Sequence, residues 1–343
     1  VTPERLDGIT GRYAALRIAV IGDFCLDRYL DIDPERAEVS IETGLPVRNV
    51  VQVRSLPGGA GTVLNNLVAL GVGTIHAIGF CGDDGEGYEL RRALGALPGV
   101  ALGRFLTSAA RRTFTYCKPM LRSRGQAPRE LERLDSKNWS ATPPEVGAAM
   151  VDALRAVAGE ADGIIVLDQV DLAESGVVTA ALRSELGVLA RGRPELRIIA
   201  DSRRGLRGYP PVIFKMNAAE LAALTGQSGS LCEAGLERTA SELAGRNRQP
   251  VFITRAELGM VGATGSGEVA RVAALPVRGA IDVVGAGDSV TANLTAAMCA
   301  GASMPEAMEL AMLASSLVIH QLGTTGTASV AQIRALSARS GPR

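Results

Sequence analysis

Short apolar runs rich in β-branched residues recur along this chain, at 17–22, 74–79, 163–167, 197–200, 212–215 and 251–254. Segments of helical periodicity lie between them, at 147–157, 174–190, 218–224 and 236–244. Runs this short read as buried strands. Strand and helix in alternation predict an α/β fold with a mostly parallel central sheet and helices on both faces, since parallel neighbours need a crossover. Ligands of such sheets gather at the carboxyl ends of the strands. Two segments break the rhythm. Residues 28–54 are polar with interspersed valines, and 110–136 hold Arg111, Arg112, Arg122 and Arg124 around an alternating stretch, Arg112-Thr-Phe-Thr-Tyr-Cys-Lys118. They are expected to leave the main sheet and pair as a small β lid or dimer surface, two exposed loops being the alternative. With no internal repeat or low-complexity linker, 1–343 is expected to be one domain carrying that lid.

Charge narrows the function. Lys plus Arg and Asp plus Glu both number 36, so the formal net charge is zero. A generic binder of nucleic acid or anionic membrane needs a basic surplus. Any anion held here must be held locally. Residues 1–17 carry Glu4, Arg5, Asp7, Arg12 and Arg17 and no apolar core of a secretory signal. The least charged stretch, 289–305, is broken by Thr291, Asn293, Thr295 and Pro305 and is no membrane span. The five scattered cysteines show no ligand spacing, and His76 and His320 are the only histidines. The expectation is a cytoplasmic protein whose chemistry is run by carboxylates, backbone amides and a cation.

The strongest motif is Ala280-Ile-Asp-Val-Val-Gly-Ala-Gly-Asp-Ser289, followed by a helical pattern. Small residues at Gly285, Ala286 and Gly287 leave backbone N–H groups bare at a helix N-terminus, where the macrodipole favours negative charge. Asp288 at the rim of that cradle could accept a proton from an attacking hydroxyl, although the helix end should depress its pKa. Spacing alone fits equally well a helix-start acid after a flexible turn. A second cluster, Pro57-Gly-Gly-Ala-Gly-Thr-Val-Leu-Asn-Asn-Leu, reads as a turn entering an apolar-faced helix.

The run Asp282-Val-Val-Gly-Ala-Gly-Asp288 resembles the D-x-x-G-A-G-D signature of the ribokinase-like PfkB carbohydrate kinases, and 57–71 resembles that family's other, glycine-rich signature. The resemblance covers about 17–327. It implies a three-layer α/β/α sandwich with a small β lid, ATP with Mg²⁺, and phosphoryl transfer to a sugar hydroxyl. It implies Asp288 as base, the amides of Gly285, Ala286 and Gly287 around the phosphoryl group, and a sugar held near Asp27, Gly58 and Gly59, with Asp23 and Asn66 as further candidates. Asn217 and Glu220 match its N-x-x-E element, associated with phosphate and, through water, Mg²⁺; the same spacing is a capping box. Thr254, Arg255 and Gly259 resemble its nucleotide loop, with Ala256 where glycine is usual. Arg203 is a candidate phosphate-side cation, a solvated arginine being the alternative. Ala311, Ala314, Ser315 and Val318, with Gly323 beyond them, match the adenine wall, and Asp282 is a candidate for a monovalent cation such as K⁺. A homodimer is implied as well.

Gly22-Asp-Phe-Cys-Leu-Asp-Arg-Tyr29, Pro57-Gly-Gly and Leu131-Glu-Arg-Leu-Asp135 look most like the heptose-7-phosphate kinase branch, and the arginines of 111–124 would suit a phosphorylated acceptor. Thr62, standing where that branch commonly has asparagine, and Leu167-Asp-Gln-Val-Asp171 depart from its pattern. A nucleoside kinase of the same fold, or a pseudokinase that only senses sugar and nucleotide, are the rival readings. A dinucleotide oxidoreductase would need G-x-G-x-x-G after the first strand, and a P-loop enzyme G-x-x-x-x-G-K-[ST]; neither is present.

Overall fold

In the computed structural model, which describes residues 1–226, 232–323 and 325–340, the six apolar runs lie side by side. Their order is Val251–Thr254, Ile213–Asn217, Arg197–Ser202, Gly163–Asp168, Arg17–Gly22 and Thr74–Gly82. All five pairings are parallel. Gly163–Asp168 is buried along its whole length, as a strand covered on both faces must be. Two short parallel strands widen one edge, and an antiparallel hairpin, Met260–Ala263 with Val269–Val272, widens the other. Among the described residues this sheet has ten strands.

Side chains alternate across the sheet, and two cores result. Ile18 and Val20 face one, with Val63, Leu64 and Leu67 of helix Ala60–Ala69 and Leu294 of helix Ala286–Cys299. Ala19 and Ile21 face the other, with Val146 and Met150 of helix Pro144–Ala158 and Leu182 and Leu186 of helix Ala180–Gly192. The three layers match the expected sandwich. The helix expected over 174–190 begins only at Ala180, because Glu174 takes a left-handed φ of 63° and the Thr179 side chain caps the Leu182 N–H.

Both excursions form the lid. Phe24–Ile32 pairs antiparallel with Val50–Gly59 and parallel with Thr115–Leu121, and Arg129–Glu130 and Leu134–Ser136 add to the far side. The lid starts at Phe24 rather than 28. Asp27 therefore stands on a strand, opposite Leu56 and Tyr116, and not in a turn. This was hidden because Phe24–Ile32 is buried at most positions on both faces and lacks the period of an exposed strand.

Candidate active site

Chain order reverses beside strand Arg17–Gly22. The next strand of the main sheet, Thr74–Gly82, joins it on one side and Gly163–Asp168 on the other. Such a switch point leaves a crevice at the carboxyl ends of the strands. Asp23, Gln169 and Arg203 follow the ends of three adjacent strands there, and all line a cavity of about 200 Å³. The lid supplies Cys25, Asp27, Gly59, Tyr116 and Lys118 to it, and the late helix supplies Asp288.

Helix Ala286–Cys299 starts from Gly285, whose φ of 81° favours glycine. A Cβ there would also press on Thr62 at 3.4 Å. Of the three amides assigned to the cradle, that of Ala286 donates to the Val283 carbonyl at 3.2 Å, which takes it out of the set. Those of Gly285 and Gly287 have no backbone partner among the described residues, as the first turn of a helix dictates. Asp288 stands in the same turn, half-buried. Burial first, and the Asp201 carboxylate second, push its pKa up to about 7, against a smaller opposing effect of Lys215. The depressed pKa expected from the helix end is thus overridden.

Lys215 was not anticipated. Its ammonium group is buried and lies 2.7 Å from Asp201 Oδ2. A Cβ on Gly287 would sit 3.0 Å from its Nζ, so the cation lies directly under the glycine turn. Burial opposes the charge, but Asp201 outweighs it and the pKa stays above the ordinary lysine value. Thr291 Oγ1 closes the group by donating to Asp201 at 3.3 Å. The available signal was a lone lysine in an otherwise apolar strand.

At the lid end, Lys118 Nζ lies 3.0 Å from Asp27 Oδ1 and 3.3 Å from the Tyr29 hydroxyl. Gly58 faces Cys25 across the strands, and a Cβ there would collide with the Asp27 carboxylate at 2.5 Å. Gly59 has φ 58°, and its Cβ would meet the Asp23 carbonyl at 2.5 Å. Asp23 itself is buried. Its carboxylate accepts the N–H groups of Gln169 at 2.8 Å and Val177 at 2.7 Å, so it ties 169–177 to the sheet. Burial, then Asp168, pushes its pKa up to about 7.

Several expected residues lie elsewhere. Asn66 is fully buried, with its amide on the Thr62 carbonyl at 3.0 Å, and does not line the cavity. Thr62 does line it, so Asn66 offers no substitute for the asparagine expected there. None of Arg111, Arg112, Arg122 and Arg124 lines the cavity: Arg111 is buried on the Ser140, Ala141 and Ser175 carbonyls, and Arg122 sits 2.9 Å from Asp31. Lys118, Lys137 and Arg203 are the cavity's cations among the described residues. Lys137 and Arg203 flank Asp171 at 2.8 and 3.6 Å.

Asn217 and Glu220 form a reciprocal capping box at 2.8 and 2.9 Å, on the carboxyl end of the next strand. Burial raises the Glu220 pKa. Thr254 ends the neighbouring strand and Arg255 follows it. Arg255 lies 3.2 Å from Glu233, and Gly259 has φ 89° against the Val272 carbonyl. Ala256 keeps a glycine-like φ of 49°. Asp282 accepts N–H groups from Val284 at 3.0 Å and Gly323 at 3.3 Å, which fixes the turn before the glycine triplet. Ala311, Ala314 and Val318 are buried in one of the two cores. No group of three or more His, Cys, Asp or Glu suited to a metal occurs among the described residues. Among the described residues no helix is long and apolar enough to cross a membrane.

A family model described as pfkB family carbohydrate kinase matches residues 204–331. Bifunctional protein HldE of Hyphomonas neptunium is 30% identical over 99% of this chain and 67% of its own length. The HldE proteins of Gluconacetobacter diazotrophicus and Caulobacter vibrioides are 31% and 32% identical, over 94% and 91% of this chain and 64% and 62% of theirs. The chain thus spans about two-thirds of these curated relatives' length. Among solved structures, Escherichia coli phosphofructokinase-2 in complex with substrates and products aligns at TM-score 0.69 and 18% identity, over 94% of this chain and 99% of that one. Arabidopsis thaliana ribokinase complexed with ribose and ATP aligns at 0.66 and 17%, over 94% and 98%. At such identities the likeness speaks for the fold.

Proposed function

Because the chain belongs to the pfkB family of carbohydrate kinases, we propose that it transfers the γ-phosphoryl group of ATP to a hydroxyl of a sugar or sugar phosphate. A heptose 7-phosphate is the leading acceptor, on the motifs shared with that branch. The observation that carries the reading is one cavity lined by both Asp288, at a helix N-terminus, and Asp27, on the lid. Asp27 and Lys118 offer an acceptor and a donor side by side, which suits adjacent sugar hydroxyls. Asp288 takes the proton of the attacking hydroxyl. The amides of Gly285 and Gly287, the Lys215 ammonium below them and Arg203 at the rim neutralise charge on the phosphoryl group, the main task in a loose transition state. Glu220, through water, would hold Mg²⁺, which when bound neutralises phosphate charge.

The chain is read as one kinase domain whose lid closes over the acceptor and excludes water. Asp282 is the candidate neighbour of a monovalent cation. The outer lid exposes Val39, Ile41, Leu45, Val50, Val51 and Val53, an apolar surface suited to a homodimer; sedimentation of Ile41→Glu against the parent tests it. The five free thiols accord with the reducing cytoplasm. The decisive assay is ADP release from Mg-ATP with a panel of sugars, sugar phosphates and nucleosides. Release that depends on a sugar or sugar phosphate is expected, and no release with any acceptor would overturn the reading.

A further inference from the structure

The cavity is lined by the polar Asp27 and Lys118 and also by Tyr116, Val170, Leu172 and Trp139, which alternate in sequence with Lys137, Gln169 and Asp171. Trp139 is the chain's single tryptophan, and it is 77% exposed at the cavity rim. It makes no hydrogen bond, ring or cation contact among the described residues.

Its exposure does not come from a loose loop. Asn138, one residue before, clamps both the N–H and the carbonyl of Arg112, at 3.0 and 2.9 Å. Ser140, one residue after, has its carbonyl held by Arg111 at 3.3 Å. Lys137 is tied to Asp171 at 2.8 Å. The backbone is pinned on both sides while the indole is left bare; Leu172, which lines the same cavity, is 45% exposed. A solitary exposed apolar side chain needs no explanation, but one that lines a cavity together with other apolar side chains does. Ligand sites commonly pair such side chains with a few placed polar groups.

We propose that Trp139 is a preset stacking platform for the acceptor, covering the C–H face of a pyranose ring whose hydroxyl edge is held by Asp27 and Lys118. The inference rests on the kinase reading above and names a specificity residue for it. The indole is large and loses little conformational freedom on binding, so it selects ring-closed acceptors with one apolar face.

The test uses the acceptor that gives the fastest ADP release from the panel. Trp139→Ala raises the KM for that acceptor about tenfold, the loss of one good contact, with kcat and the KM for ATP within about twofold. Trp139→Phe restores most of the loss. In the parent protein, saturating acceptor shifts or quenches the emission of this single tryptophan. An unchanged acceptor KM in Trp139→Ala, or emission indifferent to saturating acceptor, overturns the platform while leaving the kinase reading intact. Preference for a nucleoside over every sugar would give the surface to a base and overturn the pyranose assignment. A parent protein that phosphorylates nothing would overturn the kinase reading, and the platform with it.

Discussion

The two ends of the cavity are built by different means. At the proposed phosphoryl end, Asp288 lines the cavity, and behind it stand the amides of Gly285 and Gly287 and the buried Lys215–Asp201 pair. At the acceptor end, the groups are side chains on a thin lid and on the segment that returns from it: Asp27, Lys118, Lys137 and Trp139. The helix that carries the first end, Ala286–Cys299, packs between the sheet and helix Met304–Val318. None of the four side chains at the second belongs to either core. On the proposed function, that division separates a constant phosphoryl-transfer apparatus from an adjustable acceptor site.

If the division holds, variants at the first end change kcat and variants at the second change the acceptor KM. The largest effect is expected for Asp288→Asn, which should lower kcat by about 10²- to 10⁴-fold, the scale of losing a general base, while calorimetry still finds ATP and acceptor bound. Next comes Lys215. Removing it alone would strand Asp201 in the interior, a cost of about 3–5 kcal/mol. The paired Lys215→Met, Asp201→Asn variant leaves no orphaned charge and should lower kcat about 10²-fold, as for one lost transition-state donor. A kcat unchanged in that pair would reduce Lys215 to a structural part of the sheet.

Asp27→Asn should raise the acceptor KM about tenfold by removing one charged hydrogen bond, with the KM for ATP unchanged. Equal losses in kcat and none in KM would erase the distinction between the two ends. The smallest effect concerns Ala256. Its left-handed φ of 49° carries a strain that glycine would relieve, partly offset by glycine's greater freedom in the unfolded chain. Ala256→Gly should therefore stabilise the fold by at most about 1 kcal/mol, read as a small rise in the denaturation midpoint.

The same division explains what could be read from the sequence. The six central strands are local apolar runs, and the Gly285–Asp288 turn is a local motif, so both were legible. Lys215 meets Asp201 only because parallel strands align residues fourteen apart, and its role needs the glycine turn above it, contributed by the distant Gly287. Lys118 reaches Asp27 only through lid pairing. Asn66 misled for the opposite reason: an asparagine in an apolar helix suggests a ligand, but its amide is absorbed by the Thr62 carbonyl within the same helix. The glycines at 58 and 59 read as a turn but end the paired strand Val50–Gly59, which runs directly into the helix, and the Asp27 carboxylate that occupies the space over Gly58 could not be read either.

The central claim is that Asp288 removes the acceptor's proton. Its carboxyl group, raised to about 7 by burial and by Asp201, is protonated and inactive in acid and becomes the base as pH rises. The direct measurement is kcat/KM for the acceptor against pH for the parent and for Asp288→Asn, since that ratio reports the groups of the enzyme before the acceptor binds. The parent should lose about tenfold per pH unit below about 7, and the residual rate of the variant should be flat across that range. An acid limb of the same slope and midpoint in both proteins would assign the titration to another group and contradict the account.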